Sequence, residues 1–277
     1  MGGMATLEWP LCTPKGYVKH IIPLATSARH SAWCISWSEA QRQSIYADPL
    51  YLDGYYTSSA QPKNGLAAAR MTAVLTYRSR DSFEGRFGRK PQLYTPPVSM
   101  QQPFTGPLTP PRSPSTRSLA ALAAHNEGNR NSPSTHLGTP VPGTDGLTTD
   151  ARTRPNPTTI FSAQSYLRYQ GDKFTSRFDA NCYVHITRKL DSHDVARGRS
   201  SEGDDTEAAL AEVLGTIPPG ALVISIDSDG LFTPSEQREL ATHIPDAKLV
   251  IIQSQNGHDG FLLEFEEINR QVFVTCR

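Results

Sequence analysis

The spacing of apolar positions changes several times along these 277 residues, and each change marks a predicted element. In "GGMATLEW" Met4, Leu7 and Trp9 read as one helix face, although Gly2 and Gly3 are poor helix formers. Pro10 follows, so this helix is expected to be kinked or short. "YVKHIIPLATSA" carries a short apolar strand, Val18 to Leu24. From Arg29 to Tyr46 aromatic and apolar residues recur at helical spacing. "GLAAARMTAVLTYRS" is a strong helix sequence, with Leu66, Met71, Val74 and Leu75 on one broad face. "SYLRYQGDKFTSRFDANCYVHITRKLDSHDVARGR" is also mostly helical in pattern, and a polar, acidic stretch from Ser200 to Glu207 follows it. The last part alternates. "ALVISI" reads as a buried strand, "SEQRELATHI" as an amphipathic helix, "KLVIIQS" as a second buried strand and "FLLEFEEINRQVFVTC" as a final helix. Apolar strands separated by short helices predict βαβ units and a parallel sheet.

Between about Lys90 and Thr159 the periodicity vanishes into Pro, Ser, Thr, Gly and Asn, as in "TPPVSMQQPFTGPLTPPRSPSTRS". Such a composition cannot bury enough surface to offset its ordering entropy, so disorder is expected there. Within it "TPPRSPS" is read as plain linker ahead of a phosphorylation or Pro-motif site. The organisation expected is therefore an α/β chain in five parts. Residues 1–28 hold a helix and a core strand, 29–90 a first helical part and 91–159 a disordered insertion. Residues 160–200 form a second helical part, and 201–277 the remaining core strands and helices.

Composition narrows the function classes. With 27 basic and 27 acidic residues there is no global field to attract nucleic acid or an anionic membrane surface. Cys12, Cys34, Cys182 and Cys276 form no C-x-x-C pair, which suits buried free thiols in a reducing compartment. No apolar run approaches the roughly 20 residues that span a bilayer. The start has neither a basic nor an apolar leader region, so a soluble, cytoplasmic protein is expected.

In open α/β sheets, chemistry gathers in the loops beyond the carboxyl ends of strands. "DSDGLFTP" offers Asp227 and Asp229 after the first buried strand, and "QNGHDGF" offers His258 and Asp259 after the second. Taken singly, each is an ordinary turn or loop residue. Their order carries more. A glycine pair at a helix entry, then Asp, then His, matches the Ser…Asp…His order of α/β-hydrolase triads, in which glycines flank a strand-to-helix nucleophile elbow. An acid behind an imidazole holds its tautomer, and the imidazole takes the nucleophile's proton. The serine would lie immediately before Met1. A flexible amino terminus remains the other reading of the glycine pair. The His193-Asp194 and His258-Asp259 pairs lack metal-ligand spacing, and no metal is expected.

Through "MGGMATLEW", "HIIPLATSARHSAWCISWSEAQRQSIYADP", "GLAAARMTAVLTYRSRDSFEGRFGR", "SDGLFTPSEQ" and "NGHDGFLLE" the chain closely resembles the homoserine O-acetyltransferases, particularly the fungal branch. The resemblance covers nearly everything except the Pro/Ser-rich segment. It implies an α/β-hydrolase fold, here the carboxyl-terminal part of a mostly parallel sheet with a helical lid insertion. It also implies acetyl transfer from acetyl-CoA, as co-substrate, to the hydroxyl of L-homoserine in methionine biosynthesis, through an acyl-serine, with no bound cofactor. By motif position the catalytic acid falls on Asp229, the base on His258, the carboxylate-binding arginine on Arg70 and the ammonium-binding acid on Asp259. The backbone amide of Met1 would be an oxyanion donor. A guanidinium and a carboxylate together read both ends of an amino acid. The family's elbow, G-x-S-M-G-G-M, places the serine before Met1, so the chain alone is expected to be inactive. Pro10 stands where the family has alanine. Serine or deacetylcephalosporin C as acceptor, a non-catalytic truncated fragment, and a homodimer through the lid stay open. Trp33, Trp37, Tyr166 and Tyr169 are expected to be helix-packing aromatics. Asp191, His193, Asp194, Arg197 and Arg199 are expected to form a structural polar network ahead of a CoA-phosphate contact.

Overall fold

The computed structural model describes residues 1–94, 158–201 and 206–275. Most of the segment expected to be disordered, including "TPPRSPS", lies outside the described residues, as do 202–205 of the acidic stretch and Cys276. The chain divides into two compact units, Met1–Arg86 with Gln170–Arg277, and Phe87–Tyr169.

The first unit is built on a parallel sheet. Strands β3 (Leu222–Ile226) and β4 (Lys248–Ile252) pair in register from Leu222↔Lys248 to Ile226↔Ile252. Helix α8 (Pro234–His243) connects them, and a Thr233/Glu236 capping box starts it. Residues 21–25 run along the other edge of β3. Leu222 N–H donates to Ile21 O, Ile224 N–H to Pro23 O, and Ala25 N–H to Ile224 O. The expected strand from Val18 to Leu24 shrinks here to a single bridge, Leu24↔Ile224. Pro23 explains the loss, because it has no N–H for the rung that would return to Leu222.

Every residue of β3 is buried, and its two faces enter different clusters. Val223 packs with Leu7 of α1 (Gly2–Cys12), with Leu210 and Val213 of α7 (Glu207–Leu214) and with Leu240 of α8. Leu222, Ile224 and Ile226 face the other way, against Ile252, Ile268 and Val272. Burial on both faces is why the strand reads as an apolar run with one polar residue, Ser225, whose hydroxyl donates to Gln237 Oε1 at 3.0 Å. Each such side chain contributes roughly 1.5–3 kcal/mol on leaving water.

A helical layer accompanies the sheet. It contains α2 (Ala32–Tyr46), capped by Ser31, α3 (Lys63–Tyr77) and α6 (Ala180–Asp191), capped by Asp179. Ile45, Leu66, Ala69, Phe174, Tyr183 and Val184 form its core. Sequence before and after the Pro/Ser-rich segment thus meets in one cluster. In sequence, helix α4 (Arg80–Phe87) precedes the strands of the second unit and helix α5 (Ser162–Thr175) follows them. In that unit β1 (Pro91–Tyr94) and β2 (Thr158–Phe161) pair antiparallel, and the Phe87 and Tyr166 rings lie 4.6 Å apart, tilted by 33°. The two edges of the segment expected to be disordered are therefore strands.

Other expectations need correction. The last helix is two, α9 (Gly260–Leu263) and α10 (Phe265–Thr275). Glu264 breaks it, its carboxylate turned back to accept from Ser254 Oγ at 2.7 Å. Helix α7 within "TEAALAEVLG" has no counterpart in the sequence reading; Thr206 caps it. Trp33 is 57% exposed, and Trp9 and Leu75 are exposed rather than on buried faces. Among the described cysteines only Cys34 is buried, while Cys12 and Cys182 are exposed. Helix α1 carries Pro10 in its last turn and ends at Cys12. Among the described residues no helix is long and apolar enough to cross a membrane.

The glycine pair separates into two roles. A Cβ on Gly3 would stand 2.5 Å from Thr26 Cβ, whereas one on Gly2 would meet nothing within 4 Å. Close approach of α1 to the segment after Leu24 therefore requires glycine at position 3 alone. Gly3→Ala should cost about 1–3 kcal/mol by overpacking. Gly2→Ala should stay within about 1 kcal/mol of the parent. Urea denaturation midpoints of the two variants decide it, and equal midpoints would contradict the close-approach reading.

Candidate functional site

Three consecutive residues after β3 each bind the loop after β4. Asp227 Oδ1 accepts from Ser254 N–H at 2.8 Å, Ser228 Oγ accepts from Gly257 N–H at 2.9 Å, and Asp229 Oδ2 lies 2.7 Å from His258 Nδ1. The loops meet because parallel strands place both carboxyl ends side by side. Gly257 has φ +66°, and a Cβ there would collide with the backbone of Arg78 and Ser79. Glycine lets the chain bring His258 against the start of α4.

The Asp229 side chain is fully buried, a costly place for a carboxylate without partners. Its partners are complete. Oδ1 accepts from Leu231 N–H and Phe232 N–H, both at 2.9 Å, and Oδ2 receives His258. A carboxylate only accepts, so Nδ1 of His258 carries the proton and Nε2 is left to exchange one with a ligand. The imidazole is held in place by rings. Phe261, Phe232 and Tyr77 lie 4.9, 5.3 and 6.4 Å from it, centroid to centroid.

Met1, Arg70, Tyr77, Phe232, His258 and Asp259 line one cavity of about 470 Å³. Four of the five residues singled out from the sequence thus share it, and Asp229 stands directly behind His258. The Arg70 guanidinium lies over the rings of Tyr77 and Phe174, 5.4 and 5.1 Å from their centroids. Asp259 is paired with Arg78 (Nε–Oδ2 3.4 Å), a residue the sequence reading did not single out. Burial pushes the Asp259 carboxyl above the usual aspartate range, against the opposing pull of Arg78, His258 and Arg70. Burial likewise raises the Tyr77 phenol.

Helix α2 contributes a wall. Cys34, Trp37, Ser38 and Gln41 follow i, i+3, i+4 and i+7 spacing and line the cavity together, with His30 just ahead of the helix. The Trp37 ring meets Trp33 edge-on at 5.5 Å, as expected of a packing aromatic, and borders the cavity as well. Helical spacing signals a shared face but not that the face borders a cavity, and nothing in the sequence marks His30.

Other polar residues are used elsewhere. Arg42 holds Asp191 at 2.6 Å, Arg29 holds Asp194 at 2.8 Å, and Arg199 holds Glu8 at 2.7 Å. His193 Nε2 meets Ser27 O at 3.1 Å, and Arg197 donates to Ser192 O. Among the described residues no three His, Cys, Asp or Glu side chains converge as a metal site would require.

The cavity can therefore bind a ligand bearing both charges and exchange a proton with it. No family model matches the chain. Its relatives include homoserine O-acetyltransferase of Cryptococcus neoformans var. grubii, 52% identical over 97% of this chain and 61% of that protein. The homoserine O-acetyltransferase of Emericella nidulans is 50% identical over 100% of this chain and 59% of its own length. The chain spans about three fifths of the curated relatives it matches. Among solved structures, esterase E22 superposes with TM-score 0.67 and 17% identity, covering 100% of this chain and 59% of that one. Homoserine O-acetyltransferase from Bacillus anthracis gives TM-score 0.65 and 16% identity, covering 99% and 57%. The fold is that of the α/β hydrolases, as expected from the sequence.

Arg78 is the cation paired with Asp259, so Arg78→Met should move the Asp259 titration to still higher pH. Carboxyl ¹³C NMR reads this directly. An unchanged or lowered midpoint would mean that Arg78 does not hold that carboxylate.

Proposed function

The chain is a homologue of the fungal homoserine O-acetyltransferases over nearly its whole length, and on that premise we propose that it supplies the acid–base and acceptor-binding parts of an acetyltransferase site. The nucleophile is a serine contributed from outside these 277 residues, next to Met1. His258 Nε2 takes the serine proton as Oγ attacks the acetyl-CoA carbonyl, and the Met1 amide donates to the oxyanion. Collapse expels the CoA thiolate, which leaves with the proton from His258. In the second half, the L-homoserine hydroxyl gives its proton to His258 and attacks the acyl-serine, so that O-acetylhomoserine departs and serine regains the proton. Asp229 stabilises the imidazolium in both halves.

Arg70 binds the acceptor's carboxylate through its fork, and Asp259 binds its ammonium. Together they present the side-chain hydroxyl to Nε2. The observation that carries this reading is one cavity bordered by Arg70, Asp259 and a histidine hydrogen-bonded to a buried aspartate. No cofactor beyond the acetyl-CoA co-substrate is required.

A chimera tests it, joining the part of the Emericella nidulans relative outside the matched region to this chain. Acetylhomoserine formation and CoA thiol release are followed by stopped flow. Asp229→Asn should lower kcat by about 10⁴. Asp227→Asn keeps an acceptor for Ser254 N–H and should leave kcat within about tenfold. Arg70→Lys should raise KM for homoserine and spare the acylation burst, because an ammonium cannot form the bidentate pair. Loss of the burst in Arg70→Lys, or preference for serine over homoserine, would overturn the acceptor assignment.

A further inference from the structure

His30 is 6% exposed and borders the cavity, yet neither of its ring nitrogens has a hydrogen-bond partner among the described residues. The buried indole Nε1 of Trp37, on the same cavity, has none either. Buried donors are rarely left unpaired, since each costs the full desolvation of the group. Both residues border the cavity, and no protein group among the described residues completes these donors.

The backbone fixes His30 firmly. Its N–H donates to His193 O at 2.9 Å, and its ring lies 6.1 Å from Phe232, the same ring that supports His258. Burial drives its pKa down to about 4, a fall that the nearby Asp191 carboxylate only partly offsets and His193 deepens. The ring is therefore neutral at ordinary pH and offers one N–H donor and one acceptor nitrogen. Trp37 offers a donor alone. Each group offers an N–H donor, which pairs well with a carbonyl oxygen.

Resting on the acetyl-transfer reading above, the ligand can be assigned by elimination. The acceptor's carboxylate, ammonium and hydroxyl are met by Arg70, Asp259 and His258, and the acyl oxygen by the Met1 backbone N–H. What remains is the thioester donor's arm, whose amide carbonyls are uncharged acceptors. We propose that His30 and Trp37 are positioning residues that hold the amide-bearing arm of the acyl donor through N–H···O bonds to its carbonyl oxygens.

The test uses the 277-residue chain and two separate probes, pantetheine and L-homoserine, observed by ¹⁵N NMR. Pantetheine should move the His30 ring and Trp37 indole signals, and homoserine should move the Arg70 Nε–H signal without moving His30. His30→Phe should weaken pantetheine binding at least tenfold with homoserine binding unchanged. His30→Gln, which keeps an N–H donor, should recover most of it. Saturable pantetheine binding that leaves His30 unmoved, no pantetheine binding, or equal affinity in His30→Phe would overturn the proposal. The shifts in the parent chain stand whether or not a variant folds. A homoserine titration that leaves Arg70 unmoved would overturn the acetyl-transfer reading instead, so the two failures are distinct.

Discussion

The buried carboxylate of Asp229 is the constraint on which the site depends. It has two oxygens and uses both: one fixes its own loop through two backbone N–H groups, the other fixes His258 on the next loop. A carboxylate that accepted only from the histidine could rotate, and the imidazole with it. One that accepted only from the loop would leave a buried imidazole N–H unpaired. The arrangement is stiff because each half supports the other, in surroundings where an unmet hydrogen bond is expensive.

The sheet makes that meeting possible. Parallel pairing of β3 with β4 brings both loops to one edge, and Asp227 and Ser228 reinforce the junction before Asp229 reaches it. Two glycines allow the close approaches: Gly257 lets the histidine turn sit on the start of α4, and Gly3 lets α1 lie on Thr26. The helical layer then closes a cavity over His258, bringing Arg70 from α3 and the His30–Gln41 wall from around α2. Arg70, Asp259 and His258 share one space because helices and sheet loops, far apart in sequence, border it together.

Much of this was legible in the sequence, for physical reasons. "ALVISI" and "KLVIIQS" are mostly apolar, and the polar loops after them stand out by contrast. Only β3 is buried throughout, while β4 runs from an exposed Lys248 through half-buried residues to a buried Ile252. An aspartate followed by His258 stood out by order along the chain, and the family resemblance put the acid on Asp229 rather than Asp227. Other features leave no periodic trace. Pro23 interrupts an edge strand without altering its apolar pattern, and Glu264 breaks a helix through a carboxylate contact to Ser254 that no spacing rule anticipates. The strands at 91–94 and 158–161 lie at the rims of a Pro/Ser-rich segment whose composition outweighed them. Trp33 and Trp37 have the same helical spacing as a buried pair, yet Trp33 faces outward and Trp37 borders the cavity. Burial without a partner, the distinguishing mark of His30, is a property of three dimensions alone.

The most direct measurement is the protonation site of the His258 ring in the neutral chain, read from its two ¹⁵N chemical shifts and their couplings to ring protons. Asp229 accepting from Nδ1 requires the proton on Nδ1 and a lone pair on Nε2. We expect a protonated-type shift for Nδ1 and an unprotonated-type shift for Nε2. The reverse assignment, with the proton on Nε2, would contradict the central role given to Asp229.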